Sequence, residues 1–135
     1  MNAADIIAAA RECIGTPFQH QGRICGLALD CAGVILHVAR RLGLESVEPA
    51  GYARSPSNGA LEAAADAQPY FERVFDKQPG DVLMMRFTGE PQHVGIFTGE
   101  NIIHGYESIG KVVEHRLDHR WEARIVRVYR FKGMQ

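Results

Sequence analysis

The hydrophobic pattern changes its period once along this chain, and the change divides it into two halves. Ile6, Ile7, Ala10 and Cys13 recur at helical spacing and predict an amphipathic helix over 3–13. A second helix is predicted over 31–42, where Cys31, Val34, Ile35, Val38 and Leu42 share a face, Arg40 and Arg41 lie off it, and Gly43 ends it. A third runs from about 59 to 67 and stops before Pro69. Past Pro79-Gly80-Asp81 the pattern is that of strands, at 82–87, 92–98, 101–106, 111–116 and 124–131. Residues 15–30, with Gly15, Pro17, Gly22 and Gly26, read as a loop feeding the second helix. The stretch from Ser46 to Asn58 carries three turn signals, Pro49-Ala50-Gly51, Ser55-Pro56 and Ser57-Asn58. Helices first and strands afterwards predict an α+β fold with a mostly antiparallel sheet.

Composition narrows the picture. At 135 residues the chain is expected to form a single domain, 1–135, with 46% apolar and 23% charged residues as in soluble globular proteins. A net charge of −1 argues against a nucleic-acid partner, which favours a strongly basic face. Arg and His gather between His115 and Arg130, but their alternation with apolar residues reads as the polar face of strands. No stretch reaches the length of a membrane span, so no membrane insertion is expected. Met1 to Asp5 lacks a charged region before an apolar core; no signal peptide is expected, and synthesis is expected in a cytoplasm.

The candidate chemistry centres on Cys31. Asp30 is a good N-cap, which puts Cys31 in the first turn of its helix. The helix dipole and free amides there favour an anion, so a lowered thiol pKa is expected. A base is supplied downstream. Thr98-Gly99-Glu100-Asn101 has the signature of a type II′ hairpin, and in that register Thr98 faces Asn101 and Gly95 faces His104. His93 and His104 then share a face as diagonal neighbours, roughly 7–8 Å apart at the backbone. Gly95 leaves room for the two imidazoles to meet. Nucleophile Cys31, base His93 and orienter His104 make a catalytic set.

Other candidates weigh less. Cys13 fits core packing, Cys25 lies in a loop, and the odd cysteine count leaves at least one free thiol. His20, His37, His115 and His119 read most simply as surface or loop residues. His115-x-x-x-His119 could chelate a metal only on a helix, which its segment does not predict, so neither metal nor cofactor is expected. Tyr52 and Arg54, in the turn-rich stretch, are candidate substrate contacts.

Four motifs in order carry a resemblance over Ile6 to about Phe131: Gly15-Thr16-Pro17-Phe18, Asp30-Cys31-Ala32-Gly33, Pro79-Gly80-Asp81 and His93-Val94-Gly95-Ile96. Together they resemble the NlpC-type papain-like cysteine peptidases. Gly15-Thr16-Pro17-Phe18-Gln19-His20-Gln21 looks most like the branch found in tailed phages and prophages. The resemblance implies a papain-like fold, with the nucleophile helix packed on a five- to six-stranded sheet. It implies a Cys31-His93-His104 thiol protease that cuts the stem peptide of peptidoglycan, between D-glutamate and a diamino acid. Many relatives carry Tyr where Phe18 stands, so Gln19, His20 or Gln21 are expected to assist at the substrate carbonyl. Asp30 is an additional contact candidate, although capping is its simpler role. The phage branch implies partners among tail proteins, a place on the virion tail and action at the host cell wall. The alternatives are an amidase or acyltransferase on the same scaffold, or a tail component without catalysis.

Overall fold

The computed structural model describes residues 1–49, 58–89 and 91–135. The chain opens with α1 (Ala3–Arg11), started by a capping box in which Asn2 Oδ1 accepts from the Asp5 amide and the Asp5 carboxylate accepts from the Asn2 amide. Its buried face, Ile6, Ala9 and Ala10, rests on the following helix. Two short strands, β1 (Arg23–Ile24) and β2 (Ala28–Leu29), pair as a small hairpin inside the segment expected to be loop. They deliver the chain into α2 (Cys31–Arg41).

α2 is more deeply set than its apolar stripe suggests. Every residue from Gly33 to Ala39 is buried, including His37. His37 is therefore not a surface residue: its Nε2 lies 2.9 Å from Glu12 Oε1, and Glu12 is clamped in turn by Arg41. α3 (Ala60–Asp66) follows the turn-rich stretch, whose residues 50–57, Tyr52 and Arg54 among them, lie outside the described residues.

The second half is one six-stranded antiparallel sheet. Its strands are β3 (Phe71–Val74), β4 (Val82–Met85), β5 (His93–Phe97), β6 (Asn101–Tyr106), β7 (Lys111–Arg116) and, after the one-turn helix α4 (His119–Glu122), β8 (Ile125–Phe131). The spatial order is β3-β8-β4-β5-β6-β7, so the last strand returns to lie between β3 and β4. β3 and α4 were not anticipated: Phe71-Glu72-Arg73-Val74 is too short to alternate, and α4 is a single turn capped by Asp118.

The strand period of two sorts residues between two cores. Val82 and Met84 of β4, Val94 and Ile96 of β5 and Ile103 of β6 face the helices with Ile6, Val34 and Val38. Leu83, Met85, Phe97 and Ile102 form a smaller cluster on the opposite face, sealed by Trp121 and Leu117. The fully buried Asp81 ties β8 to the start of β4 by accepting from Arg130 Nε and Nη2 at 2.9 and 2.8 Å and from the Gln78 amide. Pairing with the guanidinium offsets the cost of burying that carboxylate. Among the described residues no helix is long and apolar enough to cross a membrane.

Candidate active site

Asp30 sets the position of Cys31, the candidate nucleophile. Its backbone is extended, as an N-cap requires, and its Oδ1 accepts from the Gly33 amide at 2.8 Å. The same carboxylate accepts from the Gln21 amide at 2.9 Å and from Arg23 Nη1 at 2.8 Å. Asp30 is buried and engaged from three sides, so it anchors the loop and helix start. Cys31 follows, half-buried, with the amides of Val94 and Ala32 directed at its sulfur. The helix start can come this close to the sheet because β6 has a glycine beneath it. A Cβ on Gly105 would stand 3.0 Å from the Asp30 carbonyl oxygen and 3.3 Å from the Cys31 nitrogen.

The β5–β6 hairpin has the predicted register. Ile96 pairs with Ile103 and Phe97 with Ile102, the Thr98 amide donates to the Asn101 carbonyl at 2.9 Å, and Gly99 turns with φ +109°. His93 and His104 consequently share a face, and His93 Nε2 lies 2.5 Å from His104 Nδ1. Gly95 is what permits this, since a Cβ there would sit 3.0 Å from the His104 Cβ.

The contact chain continues one strand further than anticipated. His115 on β7 stands opposite Ile102, on the same diagonal by which His104 follows His93. His104 Nε2 is 2.8 Å from His115 Nε2, and His115 Nδ1 is 2.9 Å from the Arg116 carbonyl oxygen. His115 is thus no free surface residue. The signal was in the β6–β7 register, which puts Val113 opposite His104 and His115 two positions along.

Aromatic rings cover this row. Tyr106 stacks on His104 at 5.3 Å, and Trp121 stands on edge to His104 at 4.9 Å and tilted over His115 at 5.0 Å. Arg124 lies over Trp121 and Phe87, at 4.5 and 5.1 Å.

Burial decides the protonation states. It drives the His93 imidazole down to about 3, assisted by the positive charge of Arg124. It lowers His104 to about 2. It pushes the Cys31 thiol up to about 12, with the Asp30 charge adding to the rise and the Val94 and Ala32 amides opposing it. The shift at Cys31 thus runs opposite to the lowered thiol pKa expected from the helix start, and burial opposes charge on both Cys31 and His93.

Cys31 and His93 open onto one cleft of about 440 Å³. Phe18, Tyr106, Glu107 and Arg124 contribute to its walls. Of the expected substrate contacts, Phe18 lines this cleft, whereas Gln19 is exposed and His20 half-buried, and neither is among its lining. Tyr106, Arg124 and Trp121 were not singled out from sequence, and His115 was read as a surface or loop residue. Among the described residues one donor cluster of the metal-binding kind occurs, away from the cleft. It comprises Cys13, Cys25 and His37, with ligand atoms within 4.8 Å of one another. All three cysteines are free, and burial together with neighbouring Cys25 raises the Cys13 thiol.

The family model of the NlpC/P60 family matches residues 15–130, and the chain belongs to that family of cysteine peptidases. Among solved structures it is similar to the NlpC/p60 domain of the peptidoglycan hydrolase SagA, with 25% identity and a TM-score of 0.63 over 95% of this chain and 97% of that one. It is also similar to NlpC2 from Trichomonas vaginalis, with 16% identity and a TM-score of 0.69, covering 96% of this chain and 46% of that one. A third is a Staphylococcus aureus protein described as similar to a lipoprotein of the NLP/P60 family, with 18% identity and a TM-score of 0.67 over 96% of this chain and 41% of that one. This chain thus spans less than half the length of the latter two relatives, whose likeness is one of fold. A search of curated protein sequences finds no match.

Proposed function

We propose that this chain is a cysteine endopeptidase that hydrolyses an amide bond in the stem peptide of bacterial peptidoglycan, the bond between D-glutamate and a diamino acid. The observation that carries this reading is the opening of Cys31 and His93 into one cleft, with His104 hydrogen-bonded behind His93. The likeness to the NlpC/p60 domain of a peptidoglycan hydrolase supports the substrate class.

Burial opposes charge on both groups, and the order of events follows from that. His93 takes the thiol proton as the sulfur attacks the amide carbonyl, so thiolate and imidazolium arise together and stabilise one another. Backbone amides at the start of α2 meet the developing oxyanion. His93 then returns the proton to the leaving amine, and water, activated by the same imidazole, hydrolyses the thioester. His104 holds the ring in place throughout and stabilises its charged form. Phe18 offers only an apolar wall where relatives have a phenol, so carbonyl polarisation falls to the backbone amides.

Action at the cell wall as part of a phage tail, following cytoplasmic synthesis, is the biological setting we attach to this reading. The phage-type pattern in the sequence from Gly15 to Gln21 supports it. Digestion of purified peptidoglycan by the wild type beside Cys31→Ala, with fragments identified by mass spectrometry, tests the reading. Fragments split within the stem peptide and missing from the variant are expected. Release of lactoyl-sugar ends instead would make the enzyme an amidase. No fragments from either protein, with the wild type folded, would point to a tail component without catalysis or to an enzyme awaiting a partner.

A further inference from the structure

We infer that His115 is a positioning residue that sets the tautomers of all three histidines and so leaves the lone pair of His93 Nδ1 free to take the Cys31 proton. The inference deepens the proposed peptidase reading and rests on it for the role of His93. The argument begins at the far end of the row. The Arg116 carbonyl oxygen can only accept, so His115 Nδ1, 2.9 Å away, carries the hydrogen. When His115 carries only that hydrogen, its Nε2 is bare and can only accept. His104 Nε2, at 2.8 Å, must donate to it. That leaves His104 Nδ1 bare, and His93 Nε2, at 2.5 Å, must donate in turn. His93 Nδ1 is therefore unprotonated. One backbone carbonyl, three strands' worth of pairing away from the nucleophile, fixes the state of the base.

Burial disfavours a charge on His93 and His104, the two rings nearest the cleft. His93 and His104 are buried, with Trp121 packed against His104 and His115, Tyr106 stacked on His104, and the Arg124 cation near His93. A proton arriving at His93 Nδ1 makes the ring doubly protonated without reversing any bond of the row. A proton on His104 or His115 would instead require hydrogen bonds to turn around. The row thus admits the catalytic proton at one atom.

Removing the acceptor at 115 frees the direction of the row. His104 can then place its hydrogen on Nδ1 and donate to His93 Nε2, which moves the His93 hydrogen to Nδ1 and blocks the base. His115→Leu has no acceptor, whereas His115→Gln puts an amide oxygen close to the position of Nε2. The test uses the full chain labelled with ¹⁵N, the imidazole tautomers read by NMR at pH 7, and the alkylation rate of Cys31 by iodoacetamide followed peptide by peptide.

In the wild type, His115 is expected as the Nδ1–H tautomer, the less common one for histidine, with His93 and His104 as Nε2–H. His115→Leu is expected to give mixed tautomers at His93 and to slow Cys31 alkylation about tenfold, the loss of roughly one hydrogen bond's worth of bias. His115→Gln is expected to restore both readouts. Wild-type His115 found as Nε2–H overturns the inference without any variant. So does a folded His115→Leu whose His93 remains purely Nε2–H. Neither readout needs substrate. A wild type that shows the expected tautomers but leaves peptidoglycan intact would therefore support the row while removing the substrate reading.

Discussion

Gly105→Ala tests whether the sheet positions the nucleophile by letting the helix start touch it. The added methyl would lie 3.0 and 3.1 Å from the Asp30 carbonyl oxygen and carbon and 3.3 Å from the Cys31 nitrogen. All three are backbone atoms, and Asp30 is held by the Gly33, Gln21 and Arg23 donors, so no side chain can swing aside. Relief requires the first turn of α2 to move off β6 by a few tenths of an ångström. Overpacking of this kind costs about 1–3 kcal/mol, or a melting temperature lower by roughly 3–10 °C for a domain of this size. The same movement shifts Cys31 relative to His93. With about 10²-fold lost per ångström of misplacement, activity should fall roughly three- to tenfold. Thermal melts and fragment release from purified peptidoglycan, each compared with the wild type, read the two effects. A variant that melts and cuts like the wild type would show that the approach of α2 to Gly105 is looser than described, and the positioning argument would fail.

Two further outcomes follow from the electrostatics. His93 and His104 are held below their ordinary value by burial, so the unfolded chain binds more protons than the folded one below about pH 6.5. Stability should be full above that pH and fall as the pH drops towards about 3, by up to about 1.4 kcal/mol per pH unit for each histidine. Denaturant unfolding at pH 7.5 and 5.5 measures the slope; His104→Asn should reduce it, and a flat response would refute the burial argument. Arg124→Met removes a cation that disfavours the charged form of His93. The imidazole should then titrate higher, and the acid limb of the kcat/KM profile should move to higher pH; an unmoved or lowered limb would contradict the proximity of Arg124 to the base.

The parts of the fold legible in the sequence are those where a local rule has one solution. An even turn at Gly99-Glu100 fixes the β5–β6 register, and with it the facing of His93 and His104. Asp30 announces the start of α2, and the stripe Val34, Ile35 and Val38 its buried side. The features that escaped depend on packing between distant segments. β3 is a strand because β8 pairs with it, Phe71 opposite Phe131 and Val74 opposite Val128. His37 is buried because α1 presents Glu12 to it. Trp121 joins the site because the one-turn α4 lays it against β6 and β7, which no periodicity over four residues can show. His115 is the intermediate case. Its place was computable from alternation, but its segment reads as an ordinary polar strand face until the partner register is worked through.

The Cys31 thiol shows how a helix-start motif can point to a candidate nucleophile while burial shifts its pKa the other way. A helix N-terminus stabilises an anion by about 0.3–1 kcal/mol, and by about 2 kcal/mol at best, which is at most about 1.5 pH units. Burial of an ionisable group opposes the charged form by up to about 3–5 units. At Cys31 burial is the larger influence and the Asp30 carboxylate adds to it, so the thiol is shifted upward. The base beside it is treated the same way, since the burial that raises the thiol lowers the imidazole. The amides at the α2 start and the hydrogen-bonded row behind His93 act in the opposite sense, favouring the charges that form as the sulfur attacks. On the proposed peptidase reading, that division of labour favours the transition state over a preformed ion pair.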